Sequence, residues 1–117
     1  MLTWESLTMQ TNDYYTKRAE ECLFANYKRA PVAFTHGRGA RLFDVEGKSY
    51  LDFIGGVALS SLGHAHPALV RAITHQAERY LHVSNLYQLP EQIQAAQALI
   101  RHSGLERVFF CNSGAEA

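Results

Sequence analysis

The chain has 117 residues, 47% of them apolar, with 11 lysines and arginines against 11 aspartates and glutamates. The apolar share is that of a globular chain rather than a disordered one. A balanced charge argues against a nucleic-acid or anionic-membrane partner, either of which requires a basic excess or patch. The two cysteines, Cys22 and Cys111, lie far apart and in no ligand spacing. They predict buried thiols in a reducing, cytoplasmic setting rather than a disulfide or a metal site. Residues 1–10 lack the basic region and apolar core of a secretory signal, and no apolar run approaches the length of a membrane span. Met9 is an alternative start to Met1.

Tyr14 to Ala25 is rich in helix formers and places Ala19, Cys22 and Leu23 on one face, which predicts a short helix ending near Asn26. Pro31 to Phe34 reads as extended. Arg41 to Phe53 reads as a hairpin: Phe43 and Val45 alternate with polar neighbours, and Tyr50, Leu51 and Phe53 follow. Between the two runs stands Glu46-Gly47, where glycine supplies the positive φ of a tight turn. Gly37 and Gly39 punctuate the approach to the first strand. Ile54 to Leu62, with adjacent glycines and small polar residues, is a poor strand and a plausible loop wall.

Pro67 suits the first position of a helix whose apolar face is Leu69, Val70, Ile73 and Ala77, ending near Tyr80. Val83-Ser84-Asn85 reads as a polar loop. Pro90 starts a second such helix, with Ile93, Ala96, Leu99 and Ile100 as its stripe, closed by Ser103-Gly104. Arg107 to Cys111 is the predicted next strand, and Asn112-Ser113-Gly114 the turn into a further helix. The order is that of an α/β protein with a small hairpin-bearing lobe ahead of its main sheet.

Four groups of residues invite a chemical reading. An apolar strand running through Asn112-Ser113-Gly114 into a helix start builds an anion cup: the free N–H groups and aligned peptide dipoles favour negative charge. Gly114 lets a phosphate approach the backbone and Ser113 offers a hydroxyl; an ordinary strand-to-helix turn is the alternative. Ser113 lacks the flanking glycine pattern of a nucleophile elbow. Glu116, in the first turn, is read as capping and complementing the dipole. His64 and His66 have the i, i+2 spacing of metal ligands on a strand, yet they precede a proline-started helix and lack a third ligand, so a structural or capping role is favoured. Tyr27, at the end of the first helix, is either core or cleft.

These segments fall in one order: Asn26-Tyr27 with Pro31-Val32, the hairpin from Leu42 to Phe53, Gly55-Gly56-Val57-Ala58 with Leu62-Gly63-His64-Ala65-His66-Pro67, His82 to Tyr87, and Phe109 to Ala117. In that order and spacing the chain resembles the amino-terminal part of the class III, pyridoxal-phosphate-dependent aminotransferases, from Tyr14 onward. His82-Val83-Ser84-Asn85 points to the acetylornithine branch more than to the ornithine or 4-aminobutyrate branches, which with the succinylornithine branch stay as alternatives.

The resemblance implies a fold type I α/β architecture. Residues 1–54 would belong to a small domain and residues 55–117 would begin the large cofactor domain. It implies a homodimer, pyridoxal 5'-phosphate as cofactor, and amino-group transfer between N-acetylornithine and 2-oxoglutarate in arginine biosynthesis. Ser113, Gly114 and Ala115 match the family's phosphate cup, and Tyr27 matches a position near the distal end of the substrate. Many relatives carry threonine where Ala115 stands; alanine keeps the N–H and loses a hydroxyl. In the family the catalytic lysine, the aspartate on the pyridine nitrogen and the carboxylate-binding arginine come later in the sequence. Lys17, Lys28 and Lys48 occupy helix, loop and hairpin contexts that do not match that lysine. The 117 residues are therefore expected to be inactive alone, either as a piece of such an enzyme or as a truncated product.

Overall fold

A computed structural model describes residues 10–117. Its elements in order are α1 (Asn12–Cys22), β1 (Phe34–Arg38), β2 (Arg41–Asp44), β3 (Ser49–Leu51), α2 (Gly55–Ala58), α3 (Pro67–Arg79) and α4 (Pro90–Ser103). The contacts divide into two compact units, one ending at Glu78 and the other spanning Arg79–Ala117.

The first unit is organised by an antiparallel sheet of order β1-β2-β3. β2 and β3 form the expected hairpin, with Leu42 opposite Tyr50 and Phe43 opposite Ser49. Gly47 takes a φ of 81°, and its N–H closes the turn onto the Asp44 carbonyl at 3.0 Å. The sequence reading missed β1. It pairs with β2 through His36–Phe43 and Gly37–Leu42, with an irregularity between Phe34 and His36. The His36 and Phe43 rings stack at 4.6 Å, and Phe34 meets Tyr50 edge-on at 5.5 Å.

α1 starts two residues earlier than expected. The Thr11 hydroxyl caps it by accepting the Tyr14 N–H at 3.2 Å, and the helix stops at Cys22 as Leu23 turns extended. Two carboxylates tie this helix to the hairpin, Asp44 and Glu46. Asp44, 2% exposed, is the one buried residue among those described. Its Oδ1 accepts the N–H groups of Glu46 (3.0 Å) and Lys48 (2.8 Å), and its Oδ2 accepts the Asn12 amide (3.0 Å) and the Tyr50 hydroxyl (2.9 Å). Asn12 Oδ1 then accepts the Ala33 N–H at 2.7 Å, and the Asn12 N–H donates to Glu46 at 2.9 Å.

Beyond β3 the chain closes on the sheet edge a second time. The backbones of Gly39 and His64 exchange two hydrogen bonds, at 3.0 and 2.8 Å. The approach leaves no room for side chains: a Cβ on Gly37 would lie 2.6 Å from His64 Cβ, and one on Gly63 would lie 3.0 Å from the Gly39 backbone. Between them, α2 is a left-handed turn rather than the featureless loop expected. Gly55, Gly56, Val57 and Ala58 all have positive φ. For the non-glycine residues this costs roughly 1–2 kcal/mol each, because Cβ crowds the following carbonyl.

In the second unit the local signals hold. α3 begins at Pro67 in the first unit and ends at its boundary, and α4 runs from Pro90 to Ser103, where Gly104 closes it in the left-handed region at φ 73°. Glu91, in the first turn of α4, accepts from Arg79 and from the Tyr80 hydroxyl (2.8 Å). Its own backbone N–H first, then Tyr80 and Arg79, bring its carboxyl down to about 2.

Two expectations are corrected. Arg107–Cys111 forms no strand, because a strand of a parallel sheet exists only through its ladder and no second strand lies beside it among the described residues. Cys22 and Cys111 are exposed rather than buried, because no apolar core closes over either face among the described residues.

Burial by itself would push the Asp44 carboxyl up. The hydrogen bonds from Asn12, Tyr50, Lys48 and Glu46 outweigh it and hold the group below its ordinary value of 3.8. A depressed folded-state value stabilises the fold fully above 3.8, and the contribution is lost as the pH falls through the folded value. Asp44→Asn puts an NH2 group against the Asn12 amide donor, so it should lower the melting temperature at pH 7 by about 5 °C or more. It should also flatten the acid limb of a series of melts between pH 7 and pH 3. An unchanged acid limb would remove Asp44 from this role. Gly37→Ala should be equally damaging in the same melts, since its Cβ collides with the His64 ring; a wild-type melting temperature would show that the sheet edge can yield there.

Candidate functional site

The residues singled out from the sequence fall in two places, one in each unit. Tyr27 belongs to the first. The segment after α1, pinned at Ala33 by the Asn12 side chain, runs back beside the helix. Between helix and segment lies a cleft of about 760 Å³, lined by Ala19, Leu23, Tyr27, Arg29, Val32 and Phe34 among others. A volume of this size, mostly apolar with a few polar groups, is ordinary for a small-molecule site.

Tyr27 is 72% exposed and therefore belongs to the cleft, not to a core. The Arg29 guanidinium stands 5.7 Å from its ring centroid, a cation–π approach, and Arg29 Nη1 makes one long contact of 3.4 Å to the Phe24 carbonyl. The cleft thus carries a phenol and a cation side by side. Sequence reasoning did not single out Arg29; its place two residues from Tyr27, before Pro31, was the available signal.

Ser113, Gly114 and Ala115 lie together in one turn of the second unit. The Glu116 N–H closes it onto the Ser113 carbonyl at 3.1 Å, and the Cys111 thiol donates to the same oxygen at 3.4 Å. Glu116 folds back so that its carboxylate accepts the Asn112 N–H at 3.0 Å, within the turn and not as the cap of the expected helix. The turn is a single one and carries no regular helix. No contact is recorded for the backbone N–H groups of Ser113, Gly114 and Ala115 among the described residues. A Cβ built on Gly114 meets nothing within 4 Å, so the backbone there is open to a ligand.

The two histidines considered as metal ligands part company. His64 turns its Nε2 to the Asp52 carboxylate at 2.7 Å. The His66 carbonyl accepts the Val70 N–H at 3.0 Å at the start of α3. Among the described residues no group of three His, Cys, Asp or Glu side chains is placed to hold a metal ion, and no helix is long and apolar enough to cross a membrane. Asp52 itself had no motif to announce it. Its carboxyl is held below the ordinary range by the Gly55 N–H first and then by His64.

Comparison with known proteins shows the family of the chain. The class-III aminotransferase family model matches residues 23–117. An acetylornithine aminotransferase of a Nostoc species is 49% identical over 113 residues, covering 97% of this chain and 26% of the relative. The crystal structure of acetylornithine aminotransferase from Elizabethkingia anophelis superposes with a TM-score of 0.87 at 30% identity, covering 92% of this chain and 28% of that one. The ornithine aminotransferase of Toxoplasma gondii, described with partial occupancy of PLP at its active site, gives a TM-score of 0.88 at 32% identity, covering 97% of this chain and 26% of that one. The chain therefore spans about a quarter of the length of the relatives it matches. With nearly every described element shared with these enzymes, the chain belongs to the class III aminotransferases and has the fold of the amino-terminal part of a fold type I enzyme.

Proposed function

We propose that this chain is part of an acetylornithine aminotransferase, which moves an amino group between N-acetylornithine and 2-oxoglutarate in the cytoplasm, in arginine biosynthesis. The observation that carries the reading is the 49% identity to such an enzyme along 97% of the chain. In this reading the protein acts as a homodimer, residues 1–54 contribute to a small domain and residues 55–117 open the cofactor domain.

The cofactor of this reading is pyridoxal 5'-phosphate, and the residues present fit its phosphate. Three successive amides, at Ser113, Gly114 and Ala115, are free to donate, Gly114 is open, and the Ser113 hydroxyl stands beside them. Bound, the cofactor supplies the electron sink for breaking bonds at the amino-bearing carbon. What this chain supplies is placement. The turn holds the phosphate by backbone N–H groups, which need no side-chain ordering, so alanine at 115 keeps the donor that matters. Tyr27 and Arg29 hold the far end of the substrate in the cleft beside α1: the phenol donates a hydrogen bond and the guanidinium faces negative charge.

The proton-moving lysine of this chemistry lies outside these 117 residues in our reading. Lys17 sits on the exposed face of α1, 2.7 Å from Asp13, and Lys48 lies in the hairpin turn with its ammonium 5.1 Å from the Tyr50 ring centroid. Neither stands in a cleft. The 117 residues alone are accordingly proposed to be inactive.

Two variants of the full-length enzyme separate the two places. Ser113→Ala removes one hydrogen bond to a charged phosphate, worth roughly 1.5–3 kcal/mol, so cofactor affinity should fall by about one to two decades. Tyr27→Phe should leave cofactor affinity alone and raise the KM for acetylornithine. Cofactor retention after dialysis and steady-state kinetics read both. Loss of cofactor in Tyr27→Phe together with full retention in Ser113→Ala would reverse the two roles and overturn the reading.

A further inference from the structure

The left-handed turn of α2 is strained, and its own packing does not hold it. Val57 sits at φ 63°, ψ 56°, where a β-branched residue is a true outlier. Such a conformation persists only where the surroundings over-determine it, and strain of this kind gathers at functional elements. Yet Val57 is 87% exposed and Leu59 83% exposed, so no apolar contact fixes the turn among the described residues.

Polar contacts do. Asp52 Oδ1 accepts the N–H groups of Ile54 at 3.0 Å and Gly55 at 2.9 Å, the two amides that lead into the turn. Asp52 Oδ2 lies 2.7 Å from His64 Nε2, with side-chain exposures of 9% for Asp52 and 23% for His64. His64 cannot drift, because its backbone is bonded in both directions to Gly39 and its ring lies where a Cβ on Gly37 would be. A continuous line of contacts therefore runs from the sheet edge through His64 and Asp52 to the entry of the turn.

We propose that Asp52 and His64 are positioning residues, a clamp that holds Gly55–Ala58 in its strained left-handed form. With Asp52 ionised, His64 Nε2–H donates to it, and the carboxylate gathers three donors that a neutral side chain could not equally reward. The device explains how an exposed turn keeps a conformation that its sequence disfavours at Val57 and Ala58.

Hydrogen exchange on the full-length protein tests the clamp without reference to activity. The amides to follow are those of Ala58, Leu59 and Ser60, which close the turn onto the Ile54 and Gly55 carbonyls. Asp52→Ala removes charge-assisted hydrogen bonds, so exchange there should quicken by about tenfold or more while α4 keeps its wild-type exchange. Val57→Gly removes the strain at the β-branched residue and leaves only that at Ala58, since glycine enters the left-handed region freely; Asp52→Ala made in that background should quicken exchange by only about threefold. Asp52→Asn keeps an oxygen for the two N–H groups and should fall between wild type and alanine. Equal acceleration in both backgrounds, or acceleration that spreads to α4, overturns the clamp.

Discussion

A buried carboxylate cannot be left without donors, and in this chain that rule does the organising. Asp44 loses nearly all contact with water and recovers it from four donors drawn from α1, the hairpin turn and β3. Because one donor belongs to Asn12, the start of α1 is fixed against the hairpin. Because Asn12 also accepts the Ala33 N–H, the chain entering β1 is fixed against the same point. The cleft that carries Tyr27 and Arg29 has α1 as one wall and the segment leading to Ala33 as the other. Both walls are therefore referred to a single side chain, and the cleft keeps its width without an apolar core behind it.

The same solution appears again after β3. Asp44 caps the amides two and four residues on, and Asp52 caps the amides two and three residues on; each then takes side-chain donors with its second oxygen. A short acidic side chain that bonds its own downstream backbone is a local turn-former. Here each such turn is also tied to a distant element, α1 for Asp44 and the His64 segment for Asp52. The large apolar side chains of these segments, Phe53, Ile54, Val57 and Leu59 among them, face outward. Direction in this unit is set by hydrogen bonds at carboxylates, and the apolar surface is what those bonds present.

What the sequence made legible was the chemistry that acts within a few residues. Pro67 and Pro90 start helices because a proline ring suits the first helical position, Gly104 stops α4 because it tolerates a positive φ, and Gly47 turns the hairpin for the same reason. What stayed hidden depends on partners far along the chain. β1 is a strand only because β2 lies beside it, and Arg107–Cys111, no less apolar than many strands, is not one because nothing among the described residues pairs with it. Asp44 looks like any hairpin aspartate until Asn12 is brought to it. His64 was read as structural or capping rather than as a metal ligand, but its partner Asp52, twelve residues earlier, was not foreseen. The turn at Ser113–Ala115 was legible because its signal is local, while Arg29 beside Tyr27 was passed over because only the fold shows that both face one cleft.

The two candidate binding places differ in what they ask of evolution. The turn at Ser113–Ala115 offers backbone N–H groups, and every residue but proline has one. Side-chain replacement there trims an added hydroxyl contact and leaves the main donors, which is why alanine at 115 is consistent with a working phosphate cup. The cleft beside α1 offers a phenol and a guanidinium, which only particular residues supply, and a guanidinium's fork is matched by no other side chain. A phosphate that every member of a family shares is best held by backbone, and a substrate tail that differs between branches is best read by side chains. On that division, the proposed reading puts donor recognition at the side chains of Tyr27 and Arg29 and leaves the turn at Ser113 indifferent to it.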